Sequence, residues 1–173
     1  MYDEDYGYYP DWVHVDADKI NHYDFSELKL APKEYFNKCF ESSRYFVIAT
    51  MLLKINDFIS KFLDSGEFVV TFVSLGTKNN LALKQKWISE TFDKYFENIE
   101  FIGGYSNEWN DKSFFDMSDG ILIDDSQINL ETSNAKLKIC FGGEKCWNKD
   151  WHGLRGKDWN EIYEIIKREY VKS

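Results

Sequence analysis

The stretch Phe68-Val69-Val70-Thr71-Phe72-Val73 constrains this chain more than any other. Every residue in it is β-branched or aromatic, it is too short for a helix, and it is entered from a Ser65-Gly66 break. A strand with one wet face alternates apolar and polar residues. A continuous run implies burial on both faces, which is the signature of a parallel sheet covered by helices. The run closes on Ser74-Leu75-Gly76-Thr77. A second apolar run, Gly120-Ile121-Leu122-Ile123, leads straight into Asp124-Asp125, and Ile99 to Ile102 and Leu137 to Phe141 supply two more.

Helical periods separate these runs. Ile48, Leu52, Ile55, Ile59 and Leu63 recur at helical spacing from about Phe46 until Gly66 ends them. Pro32 to Phe40 predicts a short helix. Asn79 or Asn80 is placed to cap a helix from about 80 to 96, with Leu83, Trp87, Phe92 and Phe96 as its apolar stripe and Lys84, Gln85, Glu90 and Lys94 outward. A brief helix is expected around Lys112 to Met117, and a closing one from Trp159 to Tyr170 buries Ile162, Ile165 and Ile166. Strands alternating with helices define an α/β class with a parallel sheet, right-handed crossovers and helices on both faces. Residues 2 to 30, rich in Tyr, Asp and Trp, show little sustained period. The expected division is an N-terminal segment, 1–45, and an α/β core, 46–173.

Charge and composition remove several functions. With 21 basic and 30 acidic side chains the formal net charge is −9, which offers no basic face to a nucleic-acid backbone. No apolar run reaches the roughly 18 residues that would span a bilayer, and Tyr2-Asp3-Glu4-Asp5 stands where a signal peptide would carry cations, so a cytoplasmic protein with no membrane partner is expected. Cys39, Cys140 and Cys146 have neither zinc-site spacing nor the density of a disulfide framework, and are expected as reduced, buried thiols.

The residues suited to chemistry stand at strand ends, where open α/β sheets bind ligands. Adjacent carboxylates at Asp124 and Asp125 repel each other and need a cation, and their hard oxygens suit Mg²⁺. Ser74, Thr77 and Lys78, with Gly76 and the following helix N-terminus, offer hydroxyls, backbone N–H groups, a dipole end and an ammonium to one anion. Lys112, twelve residues before Asp124, could reach the same anion. For each there is an ordinary alternative: a turn hydroxyl for Ser74, a helix cap for the Asp pair, a surface lysine for Lys112. Trp147, Trp151 and Trp159, with His152 and Arg155, are expected to pack over a sheet edge, and His14, His22 and His152 form no triad.

In order, Phe72-Val73-Ser74, Lys112 and Ile121-Leu122-Ile123-Asp124-Asp125 resemble motifs two, three and four of haloacid-dehalogenase-type phosphatases. Lys78 and the pair Lys86-Trp87 are similar to the 5'(3')-deoxyribonucleotidase branch. The resemblance covers about residues 67 to 170 and implies a HAD-like Rossmannoid sheet with a small helical cap remnant at the N-terminus. It also implies phosphate binding by Ser74, Thr77 and Lys78, charge stabilisation by Lys112 as the catalytic lysine, and Mg²⁺ on Asp124 and Asp125. The substrate class would be nucleoside monophosphates or other phosphomonoesters. The family's nucleophile is the first Asp of an Asp-x-Asp motif on the central strand. Asp16-Ala17-Asp18 is the Asp-x-Asp upstream of Ser74 that has an apolar lead-in, yet that lead-in, Trp12 to Val15, is short and contains His14, and Lys19 replaces the usual glycine. The expectation is therefore a first strand missing from this chain, through a truncated start or a split gene, and a partner chain or dimer completing the sheet. Two alternatives accompany the hydrolase: a non-catalytic nucleotide-, phosphate- or partner-binding domain, and an aromatic-rich recognition protein in which Asp-Asp is incidental.

Overall fold

The computed structural model describes residues 33–42 and 55–170. The Asp16-Ala17-Asp18 motif, the cap-like segment up to residue 32 and the expected start of the helix near Phe46 lie outside them. In chain order the elements are α1 (Lys33–Phe40), α2 (Ile55–Leu63), β1 (Val70–Gly76), α3 (Lys78–Thr91) followed by a 3₁₀ turn (Asp93–Asn98), β2 (Ile99–Tyr105), β3 (Ile121–Asp124), α4 (Gln127–Thr132), β4 (Leu137–Phe141), β5 (Leu154–Gly156) and α5 (Trp159–Tyr170).

Among the described residues all strand pairs are parallel, in the α/β manner expected, and they fall into a two-stranded and a three-stranded sheet. β1 pairs with β2 from Val70–Ile99 through Gly76–Tyr105. β3 pairs with β4 from Ile121–Leu137 through Asp124–Cys140, and β4 with β5 from Ile139–Leu154. β5 escaped the sequence reading because three residues, Leu-Arg-Gly, carry no usable period.

Two apolar layers cover the sheets. One contains Phe58, Ile59 and Phe62 of α2, Ile88 of α3 and Ile162, Ile165 and Ile166 of α5, packed on Ile139 of β4. The other contains Leu130 of α4, Met117 and Ala135, packed on Cys140 and Leu122. Ile139 and Cys140 point into different layers because successive strand residues face opposite sides. β1 obeys the same partition, with Val70 and Phe72 against the first layer and Val73 against the second. The helices thus lie on both faces, as the apolar strands required.

Local chemistry accounts for the element ends. α2 stops where Gly66, at φ 69°, makes the left-handed turn that glycine adopts at little cost. α3 is capped by Thr77, whose hydroxyl accepts from the Asn80 N–H, rather than by Asn79 or Asn80; Asn80 instead donates to the Phe40 carbonyl and ties α1 to α3. The helix ends at Thr91 rather than near residue 96, giving way to the 3₁₀ turn. Residues 111–118 form successive turns, not the short helix expected there; Asp111 and Asp116 accept from the backbone N–H two residues on, which favours turns over helix. Of the thiols, Cys39 and Cys140 are buried and Cys146 is exposed. Among the described residues no helix is long and apolar enough to cross a membrane.

At the β5–α5 junction Gly156 admits no side chain: a Cβ there would stand 2.9 Å from Ile162 Cγ1 and 3.0 Å from its backbone nitrogen. Gly156→Ala is expected to cost about 1–3 kcal/mol through overpacking, read as a lower denaturation midpoint with unchanged denaturant slope. A neutral result would show that α5 shifts freely on the sheet.

Candidate functional site

Ser74 and Asp124 stand toward the carboxyl ends of β1 and β3, and each is held by a lysine. The Lys84 ammonium donates to Ser74 Oγ at 2.7 Å and to the Leu75 carbonyl at 3.1 Å. With its oxygen already accepting from Lys84, the Ser74 hydroxyl has only a 3.5 Å contact to the Leu75 carbonyl for its own proton, so it remains able to donate to an incoming oxygen. Burial, then the nearby Lys112 charge, pushes the Lys84 ammonium down to about 8, against an opposing pull from Glu41. Lys84 and Lys112 therefore share one electrostatic environment, and an anion between them would relieve both the burial cost and the repulsion.

Lys112 in turn pairs with Asp124 Oδ2 at 2.5 Å, with side chains only 18% and 3% exposed. Asp124 Oδ1 accepts from the Ser126 N–H at 2.8 Å and from Asn129 Nδ2 at 3.0 Å. Both oxygens of this carboxylate are thus engaged by the protein. Asp125 is less satisfied: Trp147 Nε1 donates to its Oδ2 at 3.3 Å, and although the residue keeps an exposed surface, partial desolvation by the surrounding protein, and then the Asp124 charge, raise its carboxyl above the ordinary aspartate range. A carboxylate held this way gains most from a cation.

The loop after β4 covers the pair. Asn148, 1% exposed, donates to the Asp125 carbonyl at 3.0 Å and accepts from the Lys145 N–H. Arg155 donates to the carbonyls of Asn148, Gly142 and Gly143. This network holds Trp147 beside Asp125. Trp151 donates to the Leu154 carbonyl and packs on the second layer, and Trp159 stacks between Phe58 and Phe141; these two serve packing.

The expected residues therefore divide. Lys112, Asp124 and Asp125 lie together at the end of β3, while Ser74 sits at the end of β1 with Lys84, whose ammonium feels the Lys112 charge. Thr77 is spent as the helix cap and on a hydrogen bond to Glu41, which Asn79 also contacts. Lys78 is exposed at the start of α3. Lys84, expected to face outward, instead turns inward and is the lysine that meets Ser74. It lies three residues after Leu81 and four before Ile88, both buried, so the inward stripe runs Leu81-Lys84-Ile88 rather than through Leu83. A helical spacing of three and four was the available signal; the ammonium in its middle hid it. Asn129, Trp147, Asn148 and Arg155 left no motif to read.

Among the described residues no three His, Cys, Asp or Glu side chains converge on a metal position. The donors present still fit Mg²⁺ in part: Asp125 offers an under-satisfied hard oxygen beside a second carboxylate, whereas Asp124 would have to loosen its contact with Lys112. In comparisons with protein-family models, curated proteins and solved structures, nothing matched the chain.

Proposed function

We propose that this protein binds a phosphomonoester, with nucleoside monophosphates as the substrate class, at the carboxyl ends of β1 and β3, as a HAD-type, Mg²⁺-dependent phosphohydrolase domain. The observations that support the reading are two contacts, Lys84 to Ser74 and Lys112 to Asp124, and the charge of Lys112 being felt at Lys84. In this reading a hydroxyl donor and two ammonium groups would surround the phosphoryl oxygens, with two carboxylates behind them. A phosphoryl group has three peripheral oxygens whose charge must be neutralised and held in line, and hydroxyl and lysine donors at a sheet end do that. Lys112 would divide its charge between Asp124 and the phosphoryl oxygens. Asp125, with Asp124, would hold Mg²⁺, which supplies further charge neutralisation when bound.

Hydrolysis by this route needs a carboxylate that attacks phosphorus, and Asp16 is the candidate within the chain. The alternative is a phosphate- or nucleotide-binding domain without turnover. It is favoured by one observation: Asp124 is already compensated by Lys112, Ser126 and Asn129, so the site is electrostatically closed at rest.

Titration of the protein with a deoxynucleoside monophosphate and Mg²⁺ tests the binding. Ser74→Ala and Lys84→Met are each expected to weaken it by about tenfold or more, since a charge-assisted hydrogen bond contributes roughly 1.5–3 kcal/mol, while Lys78→Met leaves it unchanged. Equal weakening by all three would reduce the site to diffuse charge. Steady-state phosphate release decides between the two readings. Turnover of about 1–10³ s⁻¹ abolished by Asp16→Asn establishes the enzyme with Asp16 as nucleophile; binding without turnover establishes the binding domain.

A further inference from the structure

Thr77, expected to hold a phosphate at the start of α3, already holds an anion, and that anion is one of the chain's own. Glu41, one residue beyond α1, accepts through Oε1 from the Thr77 hydroxyl at 2.5 Å and through Oε2 from Asn79 Nδ2 at 2.5 Å. Its charge also reaches the Lys84 ammonium, which it favours against burial and against Lys112. Lys84 in turn donates to Ser74 Oγ. The carboxylate thus meets a hydroxyl, an amide and the field of a partly buried ammonium, the kinds of group that phosphoryl oxygens also take up. A contact between the neighbouring residues fixes the approach: Asn80 Nδ2 donates to the Phe40 carbonyl, so the last turn of α1 lies against the first turn of α3.

Two features make the Glu41 contact easy to exchange. Thr77 and Asn79 are exposed, so water replaces the carboxylate at little cost, as it does for exposed charged groups generally. The Thr77 oxygen also accepts from the Asn80 N–H, so the cap of α3 does not depend on Glu41. A phosphate held by Ser74 and Lys84 would stand near the Glu41 carboxylate, and like charges brought close disfavour each other. Glu41 and a phosphoryl group therefore compete for the same electrostatic environment.

We propose that Glu41 is a built-in competitor of the anion site: bound to Thr77 and Asn79 it latches α1 onto α3 and weakens phosphate binding, and it is released when a phosphoryl group takes Ser74 and Lys84. This inference rests on the phosphomonoester reading of that site and adds its regulation. The latched chain is the weak-binding form. Apparent affinity falls with the fraction of molecules whose latch is open, so whatever draws α1 aside strengthens binding without touching Ser74 or Lys84.

Inorganic phosphate is the probe, titrated calorimetrically against the full chain and its variants, with hydrogen exchange of residues 33–40 followed in parallel. Glu41→Gln removes the carboxylate. Asn79→Ala removes one of its donors and leaves the charge of the chain unchanged. Glu34→Gln removes an equal charge from the exposed first turn of α1, away from the contact. Glu41→Gln is expected to bind phosphate on the order of tenfold more tightly and Asn79→Ala severalfold, with Glu34→Gln close to the parent. Phosphate should speed exchange across α1 in the parent, and α1 of Glu41→Gln should exchange fast from the outset. Equal tightening by Glu34→Gln and Glu41→Gln, with none by Asn79→Ala, would reduce the effect to net charge and overturn the latch. Weaker binding by Glu41→Gln would make Glu41 part of the phosphate site, and an α1 that stays protected with phosphate bound would make the contact a fixed tie; either result overturns the proposal. Phosphate bound equally by the parent and every variant refutes the latch and leaves the phosphomonoester reading standing, whereas no binding by any of them refutes both.

Discussion

Asp124→Ala is expected to destabilise the protein by about 3–5 kcal/mol, the range for removing one partner of a buried ion pair. The Asp124 carboxylate is 3% exposed and Lys112 18% exposed, so the lysine left behind could not hydrate fully. The loss extends beyond the pair, because the Ser126 N–H at the start of α4 and the Asn129 amide also donate to this carboxylate, and each would be left without its acceptor. For a domain of this size the midpoint of thermal unfolding should fall by roughly 6–20 °C. Asp124→Ala combined with Lys112→Met should recover a large part of the loss, since the uncompensated charge is then gone. A loss below about 1 kcal/mol in the single variant, the value of an exposed pair, would show that water reaches Lys112 and that the site is open at rest.

Alkaline stability should report on Lys84. Its ammonium is pushed down to about 8 from 10.5 by burial first and by Lys112 second. Below pH 8 the group is protonated in both folded and unfolded chains, and folding carries the full penalty of burying the charge. Above 10.5 it is neutral in both and the penalty is absent. Between the two the unfolded chain binds more protons, so the contribution of Lys84 makes stability rise with pH, by on the order of 3 kcal/mol across the window. Lys84→Met should remove that rise and be more stable than the parent at pH 7, while losing the hydrogen bond to Ser74. Phosphate, if it binds where proposed, favours the protonated lysine and should flatten the same rise. Denaturant midpoints measured from pH 7 to 10.5 for parent and variant decide it: parallel curves would mean that Lys84 is hydrated and contributes no anion site.

β1, β3, β4 and α5 were legible because each is a local run, apolar on two faces or on one helical stripe, and the chain has few other ways to bury such surface. Asp124 and Ser74 were legible because they end those runs. Lys84 was not, although its spacing from Leu81 and Ile88 is helical, since a lysine is expected in water unless something holds it inside. Lys112 was placed on a helix that does not form, because Asp111 and Asp116 bind backbone N–H groups two residues on and favour turns. Asn129, Asn148 and Arg155 work through contacts across gaps of 5, 23 and 7 residues, which no local pattern carries.

The sequence alone determined the α/β class, the parallel strands, the helices that cover them and the acidic and hydroxyl groups at strand ends, because those depend on local periodicity and on where apolar runs stop. Tertiary structure alone decided which lysine meets Ser74, that Lys112 spends its charge on Asp124, that Trp147 stands beside Asp125, and that among the described residues β1 and β3 fall in separate sheets. These are relations between edges and side chains brought close by the fold, and their energies depend on burial and on the separation of charges, which spacing along the chain does not specify.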